Sequence, residues 1–312
     1  LLGGTPIWWL EPVIFKFNSK KVVVIPYGSD AYVYRRIRSV NLIHGLMISY
    51  PNAARLQNPI AKRVAKWTEY ADAVLPSGMG NDGIGRWDTL LPTTLYLDLK
   101  VWKKTERNSD ADGYNCEVVI AHAPNHRGAK GSEFVIDAID KLQRSGLKCR
   151  LVLLEGMQNS QVKDILQRDV DILVEQLLHG TGLNGLEGMA CGLPVVSNFE
   201  EDSYWDIYRT FSYFDECPGV SASSKSIESV LRVLITTPRL RKLLGEASRS
   251  YVEKYHGIDS AKYLFENVLD FIYGRSKSII NLYHPLIGEY PKRKPKIEHP
   301  LIKNKLPENF KN

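Results

Sequence analysis

Short apolar runs alternate with amphipathic stripes along most of the chain. In the second half, the apolar runs Glu117–Ala123, Arg150–Leu154, Asp171–Glu175 and Val195-Val196 read as buried parallel strands. Between them, Phe134, Val135, Ala138, Ile139 and Leu142 share one helical face, and a second helix is predicted near Gln161–Arg168. Three helical stripes follow. Ile227, Val230, Leu231 and Leu234 mark the first, and Leu240, Leu243, Leu244 and Ala247 the second, behind Thr237-Pro238. The third carries Ala261, Leu264, Phe265, Val268 and Ile272, with Asp259 as its cap. Strands and helices in strict alternation predict a parallel sheet with crossover helices.

The first half has the same character but fewer elements. Lys21–Ile25 and Ala73–Pro76 read as strands, and Tyr96-Leu97-Asp98 as a further extended piece. Asn58-Pro59 predicts a capped helix start, with Ile60, Val64, Trp67, Ala71 and Val74 recurring at helical spacing. Lys103–Gly113 is polar and aperiodic, a linker by composition. The pattern therefore predicts a first domain over 1–105, a second over 113–273, and a basic, proline-rich tail over 274–312. The tail is expected to be an ordered strap or a partly disordered arm. The first residue is Leu1 rather than Met, and no βα unit fits before Lys21. The first domain is thus expected to lack its usual leading strands, its apolar surface exposed or covered by the Trp8-Trp9 region.

One stretch concentrates the candidate chemistry. His179-Gly-Thr-Gly-Leu-Asn-Gly-Leu-Glu187 runs on into Gly-Met-Ala-Cys-Gly-Leu-Pro-Val-Val196. Gly180, Gly182 and Gly185 permit a close approach of backbone to a ligand. A helix beginning near Gly182 or Leu183 turns unsatisfied N–H groups and its positive dipole end toward that space, which favours an anion. Glu187 lies one turn inside. Gly192 suits the position just past the helix, and Pro194 prevents its continuation. An anion cradle with a carboxylate beside it suits a nucleotide diphosphate and its ribose.

This run resembles the donor-site signature of retaining GT-B glycosyltransferases of family 4, E-G-F-G-L-T-x-x-E-A-M-A-x-G-x-P-V-V. The match extends over about eighteen positions. The resemblance implies a GT-B-like α/β fold, two Rossmann-like domains facing across a cleft, the N-terminal one incomplete here. It implies that the backbone of Gly182, Leu183 and Asn184 meets donor phosphates and that Glu187 holds the donor ribose. It also implies that Arg127 and Lys130, in Pro124-Asn-His-Arg-Gly-Ala-Lys-Gly131, neutralise the diphosphate, although the family's spacing between these cations is wider. His179 stands where the family has its first carboxylate, close to the transferred sugar, and is expected to face the cleft as the catalytic group. Tyr27, Gly28, Ser29 and Asp30, at a strand's carboxyl end, are expected to line the acceptor side. The family needs no metal, and no Asp-x-Asp motif stands in a loop beside a strand. His122 and His126 receive no role.

Composition adjusts this picture little. The 312 residues are 44% hydrophobic and 24% charged, values ordinary for a globular protein. No apolar run reaches the roughly 18 residues of a membrane span, and no secretory signal is visible. Four cysteines without CxxC spacing suggest a reduced interior and no zinc site. The net charge of +6, with Pro291-Lys-Arg-Lys-Pro-Lys296 in the tail, favours anionic lipid or a phosphate-rich substrate, and no basic run belongs to a nucleic-acid-binding module. The expectation is a cytoplasmic glycosyltransferase of polysaccharide or glycoconjugate biosynthesis, peripheral at the inner face of the membrane. Its partners are a nucleotide sugar as donor, with no cofactor, and a glycan or lipid-linked acceptor. The alternatives are a non-catalytic nucleotide-sugar-binding protein and a nucleotide-sugar epimerase of the same fold.

Overall fold

The computed structural model describes residues 5–26, 31–76, 81–104 and 110–310. The expected acceptor-side residues Tyr27, Gly28, Ser29 and Asp30 lie outside the described residues. The chain forms two compact units. The first comprises Leu1–Thr94, Thr210–Phe214 and Ala261–Arg293; the second comprises Leu95–Arg209, Asp215–Ser260 and Lys294–Asn312.

In the first unit, helices α1 (Glu11–Phe17), α2 (Val40–Ser49), α3 (Pro51–Arg55), α4 (Gln57–Tyr70) and α5 (Asn81–Ile84) accompany strands β1 (Val23–Val24) and β2 (Ala73–Val74). The strands pair in parallel, Val23 opposite Ala73 and Val24 opposite Val74, and form a two-stranded sheet among the described residues. Helix α4 buries Ile60, Ala61, Val64 and Trp67. It begins at Gln57 without a side-chain cap. The Asn58 side chain, the expected cap, instead accepts from Arg35 Nη1 at 2.9 Å. Ala71 and Val74 fall beyond the helix, Ala71 as its C-cap and Val74 in β2. Toward the N-terminus Ile7, Trp9 and Phe17 are exposed.

The second unit contains strands β3 (Val118–His122), β4 (Cys149–Leu153), β5 (Ile172–Val174), β6 (Val195–Ser197) and β7 (Val220–Ser221). They form one sheet in the order β4-β3-β5-β6-β7, every pair parallel. The accompanying helices are α6 (Arg127–Lys130), α7 (Ser132–Arg144), α8 (Asn159–Arg168), α9 (Leu183–Ala190), α10 (Asp202–Phe211), α11 (Ile227–Thr236) and α12 (Pro238–Tyr255), and α13 (Ile258–Ile272) begins in this unit but belongs to the first from Ala261. Side chains alternate across the strands. Val118, Ile120, Ile172, Val174, Val196 and Val220 join a core with α7 and α11 residues such as Val135, Leu142, Leu231 and Leu234. The opposite face takes α9. A Cβ on Gly188 would stand 2.3 Å from Leu173 Cδ2 and 3.2 Å from Val195 Cγ2, so only glycine lets this helix sit so close to the sheet. Helices on both faces of a parallel sheet make the unit doubly wound.

Two boundaries differ from the sequence pattern. Residues 95–104 belong to the second unit rather than to a domain ending at 105, and the tail divides at Arg293. The stripe of α13 is a sound helix signal, but periodicity says nothing of which unit receives the helix; from Ala261 it clusters with the first. The last segment is an ordered strap on the second unit. Asn304, with φ +65°, donates to the carbonyls of Cys217 and Gly219 and accepts from Arg209, while Leu301 and Leu306 enter the core.

Candidate functional site

The order β4-β3-β5 reverses direction at β3, and ligands of open parallel sheets bind beyond the strand ends at such a switch point. Two loops meet there. The loop after β3 turns into α6, and Gly131, with φ +73°, ends that short helix in the left-handed region. The loop after β5 carries Glu175 and Gln176 and leads to the glycine run. A backbone bond joins them, the Leu177 N–H donating to the Lys130 carbonyl at 3.1 Å, and the Gly180 N–H ties the second loop to the Asn198 carbonyl, just past β6, at 2.7 Å.

His122 locks this junction from below. Its ring is fully buried, with Nδ1 2.7 Å from the Val174 carbonyl and Nε2 2.8 Å from Ser132 Oγ. A carbonyl can only accept, so Nδ1 carries the proton. Burial holds the ring's pKa below the usual histidine range, so Nε2 stays bare and accepts from the serine hydroxyl. The sequence assigned it no role, because nothing in a strand's last residue reveals a partner on the neighbouring strand.

The Lys130 ammonium donates to Glu175 Oε1 and, at 3.1 Å, to Gln176 Oε1. Glu175 is 1% exposed, and Ser197 Oγ donates to its second oxygen at 3.3 Å. A Cβ on Gly182 would lie 3.4 Å from Glu175 Oε1 and 3.9 Å from Lys130 Nζ, so the cation, its carboxylate and the glycine loop are immediate neighbours. Glu175 is the residue that sequence reasoning missed. Its only signal is a carboxylate closing the apolar run Ile172–Val174.

Helix α9 starts at Leu183 with Gly182 as N-cap, and no side chain caps it. Its first-turn N–H groups, at Leu183 and Asn184, have no intrahelical acceptor. Among the described residues the Thr181 hydroxyl and the Asn184 side-chain oxygen are buried polar atoms with no hydrogen-bond partner. Such atoms are unusual in folded proteins and mark a place where a ligand or water completes the bonding. Gly185 is required here, since its Cβ would fall 2.1 Å from Thr181 Oγ1.

The other expected residues are placed less simply. Glu187 is 5% exposed, and its carboxylate accepts from Asn159 at 3.0 Å and Asn184 at 3.3 Å. Burial pushes its pKa up, and the two amides pull against that. Arg127 does not join Lys130. It turns outward and makes a two-pronged pair with Glu155 at 2.8 and 2.6 Å, both groups largely solvated.

His179 departs from expectation. The spacing predicts a ring open to the ligand, but the ring is 2% exposed. It packs edge-on against Tyr204 at 4.5 Å and beside Trp205 at 5.4 Å, and its Nδ1 lies 3.5 Å from Glu201 Oε2. Tyr204 and Trp205 of α10 wall the ring in. Its backbone carbonyl still steadies the loop by accepting from Gln176 Nε2 at 2.7 Å. Among the described residues no three His, Cys, Asp or Glu side chains are placed to hold a metal ion, and no helix is long and apolar enough to cross a membrane.

No family model and no curated protein sequence matches the chain. Among solved structures it is similar to a sucrose-phosphate synthase from Thermosynechococcus elongatus, at 13% identity and a TM-score of 0.51, over 86% of this chain and 73% of that one. At this identity the likeness is one of fold, and the chain has a GT-B-like α/β architecture.

Proposed function

We propose that the chain is a glycosyltransferase that moves a sugar from a nucleoside-diphosphate sugar to a hydroxyl of a glycan or lipid-linked acceptor, with retention, in polysaccharide or glycoconjugate biosynthesis. One observation carries the reading: a half-buried lysine and a helix start without a side-chain cap share the sheet's switch point, beside two orphaned polar atoms. The shared fold and the signature over 179–196 support it.

In this reading the donor diphosphate sits against the N–H groups of Leu183 and Asn184, with Gly182 allowing the approach. Lys130 then shares its protons between Glu175 and a phosphate oxygen. As the bond from the anomeric carbon to the diphosphate breaks, negative charge grows on the departing oxygen, and the lysine and helix dipole stabilise it. Arg127 reaches the phosphates by exchanging Glu155 for them. Glu187 takes the ribose hydroxyls, which displace one of its two asparagine amides. Tyr27, Gly28, Ser29 and Asp30 are proposed for the acceptor side. His179 acts through its carbonyl as a support for the loop.

The walled-in ring of His179 favours one second reading, a protein that binds nucleotide sugars without turning them over. Release of free nucleoside diphosphate from a donor panel, with and without candidate acceptors, separates the two. Acceptor-dependent release supports the transferase; a donor that binds and is never consumed supports the binding protein.

A further inference from the structure

The second unit has a further cavity, of about 380 Å³, at the edge of its sheet. Ser221, the last residue of β7, lines it, as do Glu200 from the loop after β6, Val230 and Val233 of α11, and Lys305 and Leu306 of the strap. The volume is at the small end for ligand pockets, roughly 300–1,000 Å³. Strand β7 is the edge strand, two places from β5, and the cavity shares no residue with the site at the switch point. The strap is fixed there by its backbone. The Ser221 N–H donates to the Asn304 carbonyl at 2.7 Å, which brings the next two residues to the cavity wall.

The polar groups of this wall are only partly used. Ser221, 4% exposed, accepts from the Phe199 N–H at 2.9 Å, and among the described residues no acceptor takes its hydroxyl proton. A buried hydroxyl proton is rarely left without an acceptor. Glu200 Oε1 accepts from Ser226 Oγ at 2.7 Å, and among the described residues its Oε2 has no donor. The Lys305 ammonium donates to Asp202 Oδ2 at 3.3 Å and has two more protons to give. Two donors are thus open, and one carboxylate oxygen. Val230, Val233 and Leu306 supply aliphatic surface beside them. Among the described residues no aromatic ring and no arginine lines the cavity. A nucleobase would have no ring to stack on there, and a phosphate no guanidinium fork to grip it.

We infer that this cavity binds a free α-amino acid with an aliphatic side chain. The ligand's ammonium meets Glu200, its carboxylate takes the Ser221 hydroxyl and Lys305, and its side chain lies on Val230, Val233 and Leu306. A zwitterion satisfies both charges of the wall at once, which neither a simple anion nor a simple cation does. The inference is independent of the transferase reading, and its test uses no donor.

The test is titration calorimetry of the full chain with L-leucine, L-isoleucine and L-valine, with thermal melts in parallel. At least one should bind saturably and raise the melting midpoint. Two analogues of L-leucine each remove one charge: 4-methylpentanoate lacks the ammonium, and leucinamide lacks the carboxylate. Each should bind about tenfold or more weakly, the loss of one charge-assisted hydrogen bond. Glycine, with no side chain to cover the aliphatic wall, should also lose about tenfold or more. Glu200→Gln and Lys305→Met should each weaken L-leucine about tenfold. Both residues are exposed, and the new amide oxygen at 200 can still accept from Ser226, so the ligand-free melting midpoint should not move. The inference is overturned if all three amino acids leave heat and midpoint unchanged at millimolar concentration, or if the folded variants bind as the parent does. It is equally overturned if either analogue or glycine binds as tightly as L-leucine, or if glucose, a neutral polyol, binds in its place.

Discussion

Replacing Lys130 by methionine separates the architecture of the site from its chemistry. The substitution keeps most of the side chain's length and removes its charge. Glu175, 1% exposed, would keep the Ser197 hydroxyl at 3.3 Å as its remaining side-chain donor. Breaking a buried pair by removing one partner costs about 3–5 kcal/mol, because the other charge stays buried and uncompensated. For a domain of this size each kcal/mol lowers the melting midpoint by roughly 2–4 °C, so a fall of about 10 °C is expected. Glu175→Gln in the same background should recover most of it, since a buried amide has no charge to desolvate. The measurement is a pair of thermal melts at neutral pH followed by circular dichroism. A single variant melting within about 2 °C of the parent, or a double variant no better than the single one, would refute the claim that this pair holds the switch point together.

Three further outcomes follow from individual residues. Glu187→Gln should weaken a ribonucleoside diphosphate and leave a 2′,3′-dideoxy analogue unaffected, as titration calorimetry would show. Burial already disfavours the Glu187 carboxylate, a cost felt once pH rises through its raised pKa, and the Asn184 amide can turn so that its unpartnered oxygen accepts from the new Nε2. The variant should therefore melt no lower than the parent at pH 7. His256 is buried, its Nδ1 donates to the Leu95 carbonyl at 2.9 Å, and burial depresses its pKa from 6.5 to about 4. The unfolded chain then binds the proton first, so stability present above pH 6.5 is lost as pH falls toward 4, by about 3 kcal/mol in all; His256→Asn should flatten urea midpoints measured across that range. Asn304→Gly should cost about 1 kcal/mol less than Asn304→Ala in urea unfolding, because both lose the side-chain bonds but only alanine is strained at φ +65°.

The parallel strands of the second unit were legible because strands buried on both faces read as unbroken apolar runs, as in Val118–His122 and Ile172–Val174. Gly185 was legible as a glycine of the ligand loop, and the structure adds a packing reason, since a Cβ there would fall 2.1 Å from Thr181 Oγ1. What pattern could not reveal was pairing at a distance. Lys130 meets Glu175 across 45 positions, and nothing local to either residue names the other. The direction of the His179 ring depends on Tyr204 and Trp205, from a helix the pattern did not predict. Helix α2 escaped notice for another reason. With apolar residues on two faces and no charges, it lacks the one-sided stripe that marks a surface helix.

The central claim is that the switch point binds a diphosphate. Titration calorimetry of a panel of nucleoside diphosphates against the matching nucleosides tests it most directly. The account predicts that at least one diphosphate binds about tenfold or more tightly than its nucleoside, the contribution of one or two charge-assisted hydrogen bonds. That margin should shrink in Arg127→Ala and collapse in the folded double variant Lys130→Met/Glu175→Gln. A panel in which every nucleoside binds as well as its diphosphate, or a margin that survives in the double variant, would contradict it.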